Sequence, residues 1–246
     1  PRAMKPPFSA AINAWRIRHA LDIDGRERLD KLRIRLDHMA ARPYFIERAP
    51  LALARFVALD LETTGPNMLQ DVIISIGAVA VEARAVHHAS AFEVVLRQHR
   101  PSEVDNILVH QIGGQQQMAG VSPVDALMDC LEFLGDSVVI AFRAEFDETV
   151  LTREVNAVLG LPQQHTFLDL AVLLPSVFPG TNNDSLDDWS QHFGIRPIGR
   201  HRAIADAYTN AQLMLLVLEH AHRNGMSTVG ELIKMERAQK WLGKRR

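Results

Sequence analysis

The stretch FVALDLETTG (residues 56–65) joins a short apolar, β-prone run to a turn of threonine and glycine. The apolar run predicts a strand, and the Thr-Thr-Gly that follows predicts the turn that ends it. Asp60 and Glu62 are two residues apart, and side chains alternate along a strand, so we expect both carboxylates on one face. Such a pair repels itself unless a proton or a cation lies between the groups. An exposed pair on the rim of a sheet explains the pattern equally well.

Further strands and helices follow this stretch in an order that indicates an α/β fold. Residues 71–83 and 91–97 are rich in β-prone residues and have short connections, which predicts an antiparallel meander with the first strand. VVIAF (138–142) predicts a buried strand. Helices are predicted at 124–135, 145–160, 166–178, 186–194 and 203–225. Strands first and α/β units later predict the α/β class with a mixed sheet.

The composition excludes several classes of protein. Of 246 residues, 47% are hydrophobic and 23% are charged, which is typical of a globular protein and excludes a disordered or collagen-like chain. No run of about 18 apolar residues occurs, so we expect no membrane-spanning helix, no membrane partner and a cytoplasmic location. The single cysteine, Cys130, excludes an internal disulfide and a cysteine-rich zinc site.

The formal net charge of −2 hides an acidic body between two basic ends. Residues 1–50 carry an excess of five positive charges and residues 235–246 an excess of four, whereas the segment between them carries an excess of eleven negative charges. An acidic body suits a site for cations, and basic ends suit a polyanion or solubility alone. We predict a helical basic extension over 1–50, a main domain over 51–225 and a basic C-terminal tail over 226–246.

Part of the extension, residues 26–41, has apolar residues at helical spacing. This stripe consists of Leu29, Leu32, Leu36 and Met39. An apolar stripe on an otherwise basic helix predicts that the helix packs on the main domain or on a partner chain.

Three further residues complete a candidate metal site. Asp147 follows the VVIAF strand by five residues, near a helix start, where it is either a helix N-terminal acid or a ligand. His201 and Asp206 are five residues apart, so they share a site only if His201 precedes the helix and Asp206 lies one turn inside it. Clustered acids favour hard divalent cations, which can bind a phosphodiester and activate water. A histidine nearby suits proton transfer.

Three motifs make the chain similar to a known superfamily. They read VALDLETTG (57–65), VIAFRAEFD (139–147) and GRHRAIADA (199–207), and SLDDWSQHFGI (185–195) matches the helix that usually precedes the third. On these motifs the chain resembles the DEDDh 3′–5′ exonucleases. Within them it is most similar to the proofreading epsilon subunit of bacterial DNA polymerase III and its stand-alone relatives. The resemblance covers about residues 53–222 and leaves both ends outside.

The resemblance implies an RNase H-like fold, with a five-stranded mixed sheet flanked by helices. It implies hydrolysis of the terminal phosphodiester at 3′ ends of single-stranded DNA, with release of nucleoside monophosphates, in proofreading or repair. Asp60 would bridge two divalent cations, Mg²⁺ or Mn²⁺. Glu62 and Asp206 would bind the ion that carries the attacking water. Asp147 would help to hold the other ion, and His201 would be the general base that assigns the chain to the h branch.

The resemblance also implies candidate substrate contacts. Those that lie where relatives place the backbone near the terminal nucleotide are Thr63, Thr64 and Gly65. Phe142 and Arg143 replace the His-Asn pair of many relatives, and Arg143 either reaches a phosphate or points to solvent. His110, in the segment VHQIG, lies where many relatives carry I-H-G-I, and it either contacts the substrate or maintains the loop.

The same residues also fit two other functions. An exoribonuclease of the ribonuclease T or oligoribonuclease type would act on RNA 3′ ends, and its recognition of the 2′-OH would depend on loops. An accessory nuclease subunit would bind a polymerase or another protein through residues 1–50. Direct contact between the basic ends and nucleic acid would make binding weaken as salt rises.

Overall fold

A mixed sheet lies at the centre of the computed structural model, which describes residues 21–41, 43–181 and 183–243. Its five strands have the order β3-β2-β1-β4-β5. They span Phe56–Thr63 (β1), Ile73–Glu82 (β2), Ala85–Val95 (β3), Val138–Ala141 (β4) and Phe167–Asp169 (β5). Strands β1, β2 and β3 form an antiparallel meander, whereas β4 is parallel to β1 and β5 is parallel to β4. The predicted α/β class with a five-stranded mixed sheet is confirmed.

Helices cover both faces of the sheet. Those before β5 are Ile23–Ala41 (α1), Pro43–Arg48 (α2), Val104–His110 (α3), Gly114–Met118 (α4), Pro123–Leu134 (α5) and Glu145–Glu154 (α6), which continues as a π-helical turn over Val155–Leu159. Those after β5 are Leu170–Val177 (α7), Leu186–His192 (α8), Ala203–Arg223 (α9) and Val229–Gly243 (α10). Helices α1, α5 and α6 share one hydrophobic cluster with the sheet, and α7, α9 and α10 share a second. Within the described ranges, no helix has the length and apolar character needed to cross a bilayer.

The alternation of side chains along β1 decides which face its acids occupy. Val57 belongs to the cluster of α1 and α5, whereas Phe56 and Ala58 belong to the cluster of α7 and α9. Asp60 and Glu62 continue the second series, because side chains two residues apart share a face. Both carboxylates therefore lie on the face that α9 covers.

Two strands differ from their predictions. The sequence predicts one helix over 166–178, but the structure has β5 followed by α7. Three residues carry too little periodicity to be told apart from the apolar helix that follows, and their pairing with β4 depends on distant residues. The strand predicted over 91–97 begins earlier, at Ala85, because β2 and β3 are joined by a tight hairpin turn. Its two residues, Ala83 and Arg84, have φ values of +49° and +59°, a conformation usually signalled by Asn-Gly.

The helix of the N-terminal extension packs on the main domain. Leu29, Leu32 and Leu36 are buried in the cluster that contains α5, so of the two predicted locations for the stripe the structure shows the main domain. The side chain of Met39 lies outside the described residues, as do residues 1–20 of the predicted extension.

Basic residues of α1 bind the end of α5. Arg28 forms ion pairs with Asp129 and Glu132. Arg35 donates to the carbonyl oxygen of Leu131 at 2.8 Å, in the last turn of α5, where carbonyl groups lack partners within the helix. Part of the positive charge of the extension is therefore bound by acidic and carbonyl groups of the main domain.

The segment predicted as a basic tail over 226–246 is largely a helix. Helix α10 buries Val229, Leu232 and Ile233 in the second cluster. The sequence predicts a basic tail here and no helix, because the apolar face is short and lies among basic residues. Residues 244–246 lie outside the described residues.

Candidate metal centre

Three carboxylates meet where β1 ends and α9 begins. One oxygen atom each of Asp60, Glu62 and Asp206 lies within 4.8 Å of the others. Asp60 and Glu62 come from alternate positions of β1, and Asp206 comes from the first turn of α9. Three oxygen donors at this separation fit a hard divalent cation, which prefers carboxylate ligands.

Gly77 allows α9 to approach the sheet this closely. It pairs with Asp60 in the register between β1 and β2. A Cβ atom built on Gly77 would lie 2.2 Å from backbone atoms of Ala203 and Ile204, at the start of α9. Any larger residue would push the helix start, and Asp206 with it, away from β1. The importance of Gly77 is not visible in the sequence, because this contact joins residues far apart in the chain.

Asp147 lies beside this group, in the first turn of α6. Its surface is 6% exposed, and the backbone N–H groups of Leu61 and of Asp147 itself lower the pKa of its carboxylate against the effect of burial. Leu61 lies between Asp60 and Glu62 in β1, so Asp147 lies near the strand that carries them. The charge of Asp147 raises the pKa of Asp60, which places both carboxylates in one electrostatic group.

Burial is the main cause of a raised pKa at all four acids. It raises the pKa of Asp60 well above its usual range, with further contributions from the charges of Asp147 and Asp206. It raises the pKa of Glu62 to about 7 and that of Asp147 to about 8. Burial also raises the pKa of Asp206. Oxygen donors that are desolvated and held together are neutralised well by divalent cations, so the donor set fits a metal centre.

Arg200 places a positive charge against these acids. Its Nη1 pairs with Asp206, and its Nε pairs with Asp187 of α8. The guanidinium lowers the pKa of Asp60, Glu62 and Asp206 against the effect of burial. Arg200 is not among the predicted site residues, although its position directly before the histidine of the third motif is a visible signal.

His201 lies on the loop before α9, and Asp206 lies in the first turn of that helix. This is the arrangement that the two residues need in order to share a site. The backbone N–H of His201 donates to Asp206 Oδ2 at 3.1 Å, and its φ is +56°. The side chain of His201 is exposed, so it lies at the rim of the centre, where water has access. Its role as a general base stays a prediction.

The predicted substrate contacts after β1 build the turn. Thr63 Oγ1 donates to the carbonyl oxygen of Gly65 at 2.7 Å, and Thr64 Oγ1 donates to Asp71 Oδ1 at 2.8 Å. A Cβ atom on Gly65 would lie 2.7 Å from the carboxylate of Asp71, so a larger residue there would displace the carboxylate that Thr64 binds. The two hydroxyl groups hold the turn beside Glu62, and its contact with a nucleotide stays a prediction.

His110 is buried and maintains a loop. It is 1% exposed, its Nε2 lies 2.7 Å from Asn106 Oδ1, and its Nδ1 accepts the N–H of Ile112 at 3.0 Å. Asn106 in turn donates to the carbonyl oxygen of Thr63 at 2.9 Å. Of the two roles predicted for His110, the structure supports loop maintenance, because both ring nitrogens are occupied and the side chain has almost no surface for a substrate.

Arg143 lies in the turn between β4 and α6, with a φ of +60°. Its side chain is exposed, and its Nη2 donates to the carbonyl oxygen of Asp184 at 3.1 Å. The guanidinium therefore reaches toward the loop before α8. Its predicted contact with a phosphate stays a prediction.

Two kinds of curated relative are similar to this chain. DNA polymerase III PolC-type of Caldanaerobacter subterraneus is 29% identical over 186 residues, which cover 74% of this chain and 13% of the relative. DNA polymerase III subunit epsilon of Aquifex aeolicus is 28% identical over 167 residues, which cover 67% of this chain and 80% of the relative. The chain thus spans a small part of the PolC-type polymerases and most of the epsilon subunit.

A solved structure shares the fold. E. coli Exonuclease I in complex with a dT13 oligonucleotide matches with a TM-score of 0.59 and 16% identity, over 69% of this chain and 42% of that one. The sequence profile of the RNase T exonuclease family matches residues 57–214. That region contains Asp60, Glu62, Asp147, His201 and Asp206. Because the match covers more than half of the chain, the protein belongs to the exonuclease family.

Proposed function

We propose that this chain is a metal-dependent 3′–5′ exonuclease that hydrolyses the terminal phosphodiester of single-stranded DNA and releases nucleoside monophosphates, in proofreading or repair. The observation that carries the proposal is the meeting of Asp60, Glu62 and Asp206 within 4.8 Å, with Asp147 close enough to Asp60 for its charge to raise the pKa of that acid. Acids gathered in this way, in a chain of the exonuclease family, support phosphodiester chemistry.

The acids of the centre would divide the work of holding two cations, Mg²⁺ or Mn²⁺. Asp60, Glu62 and Asp206 would hold one ion, and Asp60 with Asp147 would hold the other. When bound, such ions neutralise phosphate charge and lower the pKa of a water molecule. His201, at the exposed rim beside Asp206, would take the proton from the attacking water.

The relatives support DNA as the substrate and a polymerase as the partner. Exonuclease I has been solved with the oligonucleotides dT13 and dA16, and the curated relatives are named for DNA polymerase III. These names also favour a cytoplasmic location. Residues 1–50 lie outside the region that the family profile matches, and we assign the contact with a polymerase to the part of them that does not pack on the main domain.

The direct test uses a single-stranded DNA oligonucleotide labelled at its 3′ end. With Mg²⁺ or Mn²⁺ the folded chain is expected to release a labelled mononucleotide, and EDTA is expected to stop the release. A matched RNA oligonucleotide separates the two substrates, since faster release from RNA would assign an exoribonuclease. Inactivity of the folded chain with both metals and both substrates would overturn the proposal.

A further inference from the structure

Helix α10 carries a buried acid that the proposed chemistry does not use. Glu236 is 4% exposed, and its Oε1 accepts the backbone N–H of Asp169 at 3.0 Å. Lys240, one turn further along α10, pairs with the same carboxylate at 2.8 Å. A buried carboxylate is costly unless it is both hydrogen-bonded and paired. Glu236 meets both conditions, so its position is well fixed.

Asp169 connects α10 to the turn before α6. It is the last residue of β5, and its Oδ1 accepts the backbone N–H groups of Arg143 and Ala171, each at 2.9 Å. The N–H of Ala144 also lowers the pKa of this carboxylate. The backbone of Asp169 is thus held by Glu236, while its side chain holds the turn between β4 and α6.

This turn decides where Asp147 lies. Arg143 has a φ of +60°, a left-handed conformation that a residue with a Cβ atom adopts at a cost in energy. Ala144 directly precedes α6, and Asp147 lies in the first turn of that helix. A shift of the turn would therefore move Asp147 relative to Leu61 and the acids of β1.

The other end of α10 is anchored as well. The backbone N–H of Val229 donates to the carbonyl oxygen of Ala49 at 3.0 Å. The backbone N–H of Leu51 donates to the carbonyl oxygen of Ser227 at 2.9 Å. These bonds join the start of α10 to the segment that leads into β1. A helix fixed at this end can serve as a support for Asp169.

We propose that Glu236 is a positioning residue for the metal ligand Asp147, acting through Asp169 and the turn at Arg143. Helix α10 is then part of the scaffold of the metal centre, although it lies outside residues 57–214, which the family profile matches. This inference rests on the proposed function, because it requires Asp147 to hold a metal ion.

The test measures equilibrium Mn²⁺ binding to the full chain, without substrate, by titration calorimetry. Glu236→Leu removes the acceptor for the N–H of Asp169, and we expect one of the bound ions to be held about tenfold more weakly. Glu236→Gln keeps a carbonyl acceptor at the same place and is expected to bind Mn²⁺ within about threefold of the wild type. Rescue by Gln would distinguish positioning from a general loss of packing.

Arg237→Met is the matched control on the same helix. Arg237 is exposed and lies 3.9 Å from Glu47, so its replacement is expected to leave Mn²⁺ binding unchanged. If Glu236→Leu does not fold, Glu236→Asp takes its place, because the shorter side chain withdraws the carboxylate from Asp169 and keeps the charge. Wild-type Mn²⁺ affinity in either folded variant overturns the inference alone. A wild-type chain that binds no Mn²⁺ overturns the proposed function itself.

Discussion

At the end of β1, the carboxylates of Asp60, Glu62 and Asp206 lie close to one another. Behind β5, the carboxylates of Asp169 and Glu236 accept backbone N–H groups, and Lys240 also pairs with Glu236. We call the first three the front group and the last two the rear group. Both groups gather acids in partly buried surroundings. The two groups differ in their partners. The carboxylates of the rear group accept backbone N–H groups, whereas a bound cation would neutralise the repulsion among the carboxylates of the front group.

This difference distinguishes acids that stabilise the fold from acids that can bind a metal ion. Acids whose oxygens accept backbone N–H groups stabilise the turns that supply those groups. Acids that mainly face other acids raise each other's pKa and destabilise the chain until a metal ion binds. Asp147 shares features of both groups, since the N–H of Leu61 lowers its pKa and its own charge raises the pKa of Asp60.

The largest effect is expected from Asp60→Asn. The change removes one charge of the front group and a ligand for metal, so exonuclease activity should fall on the order of a thousandfold. The free energy of unfolding of the metal-free chain should stay the same or rise, because a repelling charge is removed. Initial rates on a 3′-labelled oligonucleotide and thermal unfolding in EDTA measure both effects.

Asp169→Ala is the matched change in the rear group. It leaves the N–H groups of Arg143 and Ala171 without their acceptor, so the free energy of unfolding should fall by about 2 kcal/mol. A stability loss at Asp60 equal to that at Asp169 would contradict the distinction between the groups.

His201→Ala should lower the rate about a hundredfold while leaving Mn²⁺ affinity nearly unchanged. The reason is that the exposed side chain would transfer a proton and is not among the ligands. Single-turnover rates and Mn²⁺ titration test the two halves of this prediction. A large loss of Mn²⁺ affinity would show instead that His201 belongs to the ligand set.

Arg200→Gln should tighten Mn²⁺ binding by roughly tenfold and lower the stability of the metal-free chain. The Arg200 guanidinium pairs with Asp206 and so competes with a metal ion for the front group. Arg202→Gln is the charge-matched control, because Arg202 is exposed and pairs with Glu93 at 3.2 Å. Equal Mn²⁺ affinity in the two variants would show that Arg200 does not compete with a metal ion for the front group.

The smallest effect is a pH dependence of stability. Burial raises the pKa of Glu62 to about 7 and that of Asp147 to about 8, whereas both are near ~4 in an unfolded chain. Stability from such acids is complete at low pH and is lost as pH rises through the folded values. In EDTA, Tm should fall as the pH rises from ~5 to ~8.5, and Mn²⁺ should remove the fall. A Tm independent of pH in EDTA would contradict these shifts.

The front group could be predicted largely from the sequence because its rules are local. Alternation along one strand puts Asp60 and Glu62 on one face. Helix geometry alone shows that His201 must precede the helix that carries Asp206. The motifs then supplied the order of the elements, and the sheet followed from them.

The rear group could not be predicted, because its contacts join distant parts of the chain. Glu236 accepts an N–H from a residue 67 positions away, and no periodicity reports such a bond. The strand that ends in Asp169 has three residues, and the sequence predicts a helix there. Arg200 and Gly77 were missed for a similar reason, since their importance depends on which helix end lies against which strand.

A crystal structure of the full chain with Mn²⁺ and a nucleoside monophosphate tests the proposed metal centre most directly. We expect two ions held by the carboxylates of Asp60, Glu62, Asp147 and Asp206, with the phosphate on the ions and the ring of His201 facing it. The claim that these acids form a metal centre would be contradicted by ions or phosphate bound away from the end of β1, with Asp206 still paired to Arg200.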